Sequence, residues 1–287
     1  MRIDELIKTD PRVKGFPNEK DQEQMLSEVA NILATKCSSA VEKVRQEKRI
    51  YRGMKSTGIA YVGNPGIAEP RKSANTLNYY TLICDNSPQW AAYPKRSESF
   101  ICSNSKWTAS SYGEVYVAFP IDGTIIGQCP DSDMWFSFKL PDRMSLEDFA
   151  NEINNILLLA HRLENPSPVN KKVKFEYNIR KLTFDHNVNE FKDALNKAQQ
   201  TFLTTKFTSQ VLKYNPMLGD MIKANIMSQK DGLWNLFSQW LDPAKNGFSR
   251  YPIEQYEIKR MNKELWFSAP AVFVKEHYAH TAIRLIK

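Results

Sequence analysis

The chain has 287 residues, a formal net charge of +7, 42% apolar and 25% charged residues. That is ordinary for a globular protein able to bury a real core. No apolar run of about 18 residues occurs, so no transmembrane helix and no membrane partner are expected. The opening Met1-Arg2-Ile3-Asp4-Glu5-Leu6 lacks the apolar centre of a secretion signal. Cys37, Cys84, Cys102 and Cys129 lie far apart without a CxxC pair, which fits reduced thiols better than a disulfide framework or a zinc site. A cytoplasmic setting is therefore expected. The positive charge suits an anionic ligand or partner, although Lys and Arg are spread along the chain rather than clustered.

Residues 1–18, polar and carrying Pro11 and Pro17, read as an arm or short helix. Residues 19–48 carry Met25, Leu26, Val29, Ile32, Leu33, Cys37, Ala40, Val41 and Val44 at helical spacing and predict one long helix. Ile50-Tyr51-Arg52-Gly53-Met54 reads as the first strand. A Gly- and Pro-bearing loop over 55–75 follows, long enough to suggest function. Residues 76–84 favour a strand or a short helix, and Phe100-Ile101-Cys102 a strand. Trp107 to Gly113 read as a short helix or turn. Glu114 to Phe119 is the clearest strand, closed by Pro120, Asp122 and Gly123, and Thr124 to Gly127 is a further short one.

The character then changes. Ser145-Leu146-Glu147-Asp148 is a capping box, opening a helix with Leu146, Phe149, Ile153, Ile156, Leu157 and Ala160 on one face. Residues 172–184 alternate as a half-wet strand, and 188–241 read as helical and rich in Phe, Trp and Met. Strands return at Leu265-Trp266-Phe267 and Ala271-Val272-Phe273-Val274. The order predicts an α+β protein in three parts. An N-terminal helical segment spans 1–48. A core comes from 49–141 and 246–287, and a mainly helical insertion spans 142–245.

Three stretches carry chemistry-bearing residues. A guanidinium such as Arg52 offers the donor fork that grips a pyrophosphate, and Gly53 beside it allows close approach of a ligand to the backbone. Ser97-Glu98-Ser99-Phe100 supplies two hydroxyls on a middle strand. Lys263-Glu264-Leu265-Trp266-Phe267 supplies a carboxylate on a late one. With Ala109 and Tyr112-Gly113 behind the serines, and Ser268-Ala269-Pro270 then Val272-Phe273-Val274 behind the glutamate, this arrangement resembles the Arg–Ser–Glu signature of the ADP-ribosyltransferases, of the kind encoded by bacterial viruses or toxin systems. The resemblance covers roughly 49–134 and 251–275.

It implies a mixed or antiparallel split β-sheet core, with NAD as a substrate whose nicotinamide is released while ADP-ribose moves to a macromolecular acceptor, a protein or a nucleic acid. The basic charge makes nucleic acid or a nucleic-acid-associated protein plausible targets. Glu264 would face the oxocarbenium-like ribose, Arg52 would hold the phosphates, and Gly53 would meet the nicotinamide amide. Ser97 and Ser99 would position the ribose and brace Glu264. Asp133, in Asp131-Ser132-Asp133, is a rival for the catalytic position. Asn262 stands where arginine-modifying members carry a second glutamate, and Glu98 stands where threonine is common. A second reading is a non-enzymatic binding or structural protein, of a virus particle for example, on a degenerate version of the fold. A third is a nucleic-acid binder driven by charge. Glu276, His277 and His280 are expected to be surface residues rather than metal ligands.

Overall fold

The computed structural model describes residues 13–15, 22–56, 58–67, 70–71, 77–164, 187–204 and 226–286. Its strands are β1 (Val13–Gly15), β2 (Tyr51–Met54), β3 (Ala60–Gly63), β4 (Phe100–Ser103), β5 (Glu114–Pro120), β6 (Ile125–Gln128), β7 (Ser249–Pro252), β8 (Glu264–Phe267) and β9 (Ala271–Lys275). Its helices are α1 (Gln22–Lys36), α2 (Ser38–Arg45), α3 (Tyr79–Asn86), α4 (Lys106–Ser110), α5 (Leu146–Glu164), α6 (Val188–Thr204), α7 (Gly232–Trp240), α8 (Pro243–Asn246) and α9 (Glu276–Arg284).

The chain forms two compact units. One comprises Met1–Arg71, Ala92–Ser137 and Gly247–Lys287, the other Lys72–Ala91 and Phe138–Asn246. The first holds a nine-stranded sheet in the order β1-β3-β9-β5-β2-β4-β8-β6-β7. Every pair in it is antiparallel, so the protein is α+β with an antiparallel sheet. Tyr116, Val117, Ala118 and Phe119 of β5 and Ala271 to Val274 of β9 are all buried. Both faces of these strands are covered, which is why they read as unbroken apolar runs instead of alternating ones.

The single helix expected over 19–48 is two, α1 and α2, with a break at Cys37. The cause lies in the turn after β5. The Asp122 carboxylate accepts from the Ser38 amide at 3.2 Å, the Ser39 amide at 2.8 Å and the Ser38 hydroxyl at 2.8 Å. A distant side chain thus caps the N-terminus of α2, where Cys37 gives no side-chain cap. Burial works to raise the Asp122 carboxyl, but the bonds from Ser39 and Ser38 outweigh it and hold the group below its ordinary value. The stripe predicted from spacing is the buried one: Leu26, Val29, Leu33, Cys37, Val41 and Val44 join the core with the inner strands.

The second unit has an aromatic core of its own. Tyr79 of α3 stacks on Phe191 of α6 with ring centroids 5.0 Å apart, and Phe149 of α5 meets Phe237 of α7 edge-on at 5.5 Å. The Trp90 indole N–H donates to the Leu241 carbonyl at 2.7 Å. The capping box at the start of α5 closes in both directions. The Asp148 amide donates to the Ser145 hydroxyl at 3.0 Å, and the Ser145 amide donates to the Asp148 carboxylate at 3.0 Å. The strand expected over 172–184 lies outside the described residues, as do 205–225 of the helical run. Among the described residues no helix is long and apolar enough to cross a membrane.

Candidate functional site

The strands carrying Arg52, the serine-rich turn and Glu264 lie side by side as β2, β4 and β8. Register sets Glu264 opposite Ser103, and Ser103 opposite Tyr51. β4 pairs with β8 along its whole length, whereas its ladder with β2 registers that one pair alone. The sheet is therefore nearly split between β2 and β4. One step beyond the shared rung, the Arg52 guanidinium donates to the Ile101 carbonyl at 2.7 Å. A side chain occupies the gap where a ladder bond would form. The Ala118 amide donates to the Ile50 carbonyl. By antiparallel alternation the peptide groups of Gly53 then point toward β4, along an edge that the β2–β4 ladder does not reach.

Side-chain alternation decides which groups meet. Phe100 and Cys102 share one face of β4, and Ile101 and Ser103 the other. The Arg52 guanidinium carbon sits 5.2 Å from the Phe100 ring centroid. Burial pushes the neighbouring Cys102 thiol up to about 12, against the lowering influence of Arg52. Glu264 shares the opposite face with Ser103 and with Trp266, which pairs Ile101. The structure thus brings Ser103 and Glu264 together and leaves the Arg52 head at the split, on the Phe100 side.

Glu264 is held from two directions. Arg96 reaches its carboxylate at 2.7 Å, with the two side chains only 13% and 12% exposed. The Arg96 guanidinium carbon also lies 5.7 Å from the Trp266 ring centroid. Trp266 is in turn anchored by its indole bond to the Pro94 carbonyl at 2.8 Å and stacked by Tyr93. The Cys129 thiol donates to the same carboxylate at 3.4 Å. Burial raises that thiol well above its ordinary value, and the charge of Glu264 adds to the effect while Arg96 opposes it. Cys129 is therefore a protonated donor.

The turn before Glu264 is stitched to the corner between β4 and α4. The Asn104 amide group donates to the Arg260 carbonyl at 2.7 Å and accepts from the Lys263 amide at 2.7 Å. Its backbone N–H meets the Lys263 carbonyl at 3.1 Å. The Ser103 hydroxyl donates to the same carbonyl at 3.2 Å and accepts from the Ser105 amide at 3.0 Å. The Lys263 ammonium donates to the Pro130 carbonyl. Asn262 adopts a left-handed φ of 60°, and its side chain accepts from the Thr108 hydroxyl at 2.5 Å. Asparagine tolerates that backbone region better than most residues.

Ser97 and Ser99 lie between Arg96 and β4. Ser99 is fully buried, and its hydroxyl donates to the Lys95 carbonyl at 2.5 Å. The Ser97 carbonyl accepts from the Arg71 amide at 2.7 Å. Gly53 answers a packing demand: a Cβ there would stand 2.0 Å from the Ala109 carbonyl oxygen of α4. Asp133 accepts from the Trp135 amide at 2.8 Å and opens a short 3-10 turn (Met134–Phe136). It lies off the strands. The residues missed by sequence reading are Ser103, Asn104, Arg96 and Cys129. A second Ser-x-Ser, Ser103-Asn104-Ser105, stands at the end of a strand signal and before the helix with Ala109, and that was a legible cue for the first two.

Among the described residues no group of three or more His, Cys, Asp or Glu is placed to hold a metal ion. His280 lies 2.7 Å from the Arg49 guanidinium, and His277 packs on Tyr278. Compared with known protein families, curated proteins and solved structures, the chain finds no match in any of the three.

Proposed function

We propose that the chain is an NAD-dependent transferase of the ADP-ribosyltransferase type, moving ADP-ribose to a macromolecular acceptor and releasing nicotinamide. The observation that carries this reading is the register that lines up Tyr51, Ser103 and Glu264 across β2, β4 and β8. It supports a carboxylate and a hydroxyl on one face beside a nearly split join that holds an arginine. In this reading Ser103 takes the part expected of Ser97 or Ser99. Glu264 accepts a hydrogen bond from a ribose hydroxyl and faces the positive charge that builds as the ribose–nicotinamide bond breaks. Nicotinamide leaves with the bonding electron pair, an acceptor oxygen or nitrogen forms the new bond to the ribose carbon, and the acceptor's proton is released. Arg52, held on the Phe100 side of the split, must release the Ile101 carbonyl to meet the phosphates, and the peptide edge of Gly53 takes the nicotinamide amide. Arg96 must yield Glu264 as substrate enters. Asn262, in place of a second carboxylate, disfavours arginine as acceptor.

The Arg96–Glu264 ion pair also favours a second reading, a binding or structural protein in which that carboxylate serves the fold. Nicotinamide release from NAD, with cell lysate supplying acceptors, separates the two. The transferase reading expects turnover by the wild type, its loss by at least about a hundredfold in Glu264→Gln, a smaller loss in Ser103→Ala, and none in Asp133→Asn. Loss confined to Asp133→Asn moves the catalytic carboxylate. Absence of both turnover and calorimetric NAD binding in the wild type leaves the binding protein.

A further inference from the structure

The corner stitched together by Asn104 and by the Thr108–Asn262 bond presents an unusual surface. Trp107 is 82% exposed, Tyr112 65% and Met261 64%. Isolated apolar side chains on a surface mean little. Here three large ones stand on two segments joined by hydrogen bonds, and a tryptophan this open forgoes most of the burial its ring could gain. The same turn carries Lys259 and Arg260, both exposed and without an ion pair among the described residues. Three carboxylates on neighbouring segments are already paired. Glu257 pairs with Lys43 and Lys48, and Glu276 pairs with Arg49 and Lys106. Glu114 pairs with Lys275. Lys259 and Arg260 are thus the cations that this turn offers to an anionic partner.

We infer that this corner is a docking surface for single-stranded nucleic acid, with the phosphate backbone over Lys259 and Arg260 and a base stacked on Trp107. A flat indole takes any base by its π-face, and guanidinium and ammonium groups track the phosphates. An acidic polypeptide would use the two cations, but without an aromatic side chain it has no ring to place on Trp107. A duplex keeps its bases stacked inside and offers none to a surface indole. The inference needs no chemistry at Glu264, so it stands or falls apart from the transferase reading.

The test is fluorescence anisotropy without NAD, using labelled oligothymidylate of about 12 nucleotides, an abasic strand of equal length and polyglutamate. Wild type, Trp107→Ala and the double variant Lys259→Ala with Arg260→Ala are compared at two salt concentrations. These side chains are exposed, and unchanged melting temperatures verify folding. Wild type is expected to prefer the base-bearing strand over the abasic one by about fivefold or more, and Trp107→Ala to erase that preference. The double variant is expected to lower the logarithmic salt slope by about 1.4, or roughly sevenfold less weakening between 50 and 200 mM salt. Absence of binding by the wild type, variants indistinguishable from it, or polyglutamate bound as tightly with no effect of Trp107→Ala would each overturn the inference. The last outcome would assign the surface to an acidic protein.

Discussion

Replacing Gly53 by alanine tests how β2, α4 and the serine turn are locked together. The added Cβ would lie 2.0 Å from the Ala109 carbonyl oxygen and 2.8 Å from the Tyr112 Cβ. Ordinary contact begins at 3.4 Å, so α4 would have to retreat by about 1.4 Å. It cannot do so freely. Its N-terminus is capped by the Ser105 hydroxyl on the Thr108 amide, and Thr108 is bonded to Asn262. On the other side, β2 is fixed by its ladder with β5. Overpacking against backbone belongs at the upper end of the usual 1–3 kcal/mol, about 3 kcal/mol. Alanine returns about 0.5–1 kcal/mol through its lower flexibility, leaving a net loss of roughly 2–2.5 kcal/mol. For a protein of this size that lowers the melting temperature by roughly 3–5 °C. Urea and thermal unfolding by circular dichroism read this directly. Gly66→Ala, whose added Cβ finds its nearest neighbour at 3.5 Å, serves as control and is expected to stay within about 0.5 kcal/mol of wild type. Gly53→Ala as stable as that control would refute the argument that α4 is pinned against the strand.

Asn104→Ala removes the side-chain bonds to Arg260 and Lys263. A loss of about 2–3 kcal/mol is expected in urea unfolding, with proteolysis before Glu264 as a second readout. Asp122→Asn weakens the cap on α2 and costs about 1 kcal/mol at pH 7. Because the folded Asp122 titrates below its ordinary 3.8, its contribution is present above that pH and lost as pH falls through the folded value, so the two stability curves converge on acidification. Cys37 and Cys102 are raised from an ordinary 9.0 to about 12 by burial. Their thiols stay protonated in the fold, so their contribution is intact below pH 9 and fades as pH climbs toward 12. A thiol-reactive disulfide reagent at pH 8 should therefore label the native protein only at its rate of unfolding, and rapid labelling of either residue would contradict this.

Much of the fold was legible. The helical stripe from Leu26 to Val44, the strand over Glu114 to Phe119 and the two strands between Glu264 and Val274 are signals of local spacing, and local spacing survives folding. The break at Cys37 was not, because the group that makes it, Asp122, is remote in sequence. The site was half legible for a similar reason. Glu264 could be placed on a late strand from its neighbours alone. Which serine stands beside it depends on register, and a shift in register exchanges the residues that share a face. Both hydroxyls donate to a backbone carbonyl, Ser99 to Lys95 and Ser103 to Lys263, and only the register sets Ser103 opposite Glu264. Arg96 was invisible because an arginine in a loop carries no sign of the carboxylate it will meet.

The strand order also has a consequence for how the molecule comes into being. β8 lies between β4 and β6, and β9 between β3 and β5. Both are interior strands, yet both are translated after the whole second unit. A nascent chain ending near Ser137 has made β2 to β6 but cannot close either gap. Its backbone edges at β3, β4, β5 and β6 stay unpaired while more than a hundred further residues emerge. Unpaired strand edges are templates for association with other chains, and pairings this distant in sequence are slow to form. The sheet is therefore completed from its middle, late, and all at once, so the first unit gains its stability only when the last forty residues arrive to fill it.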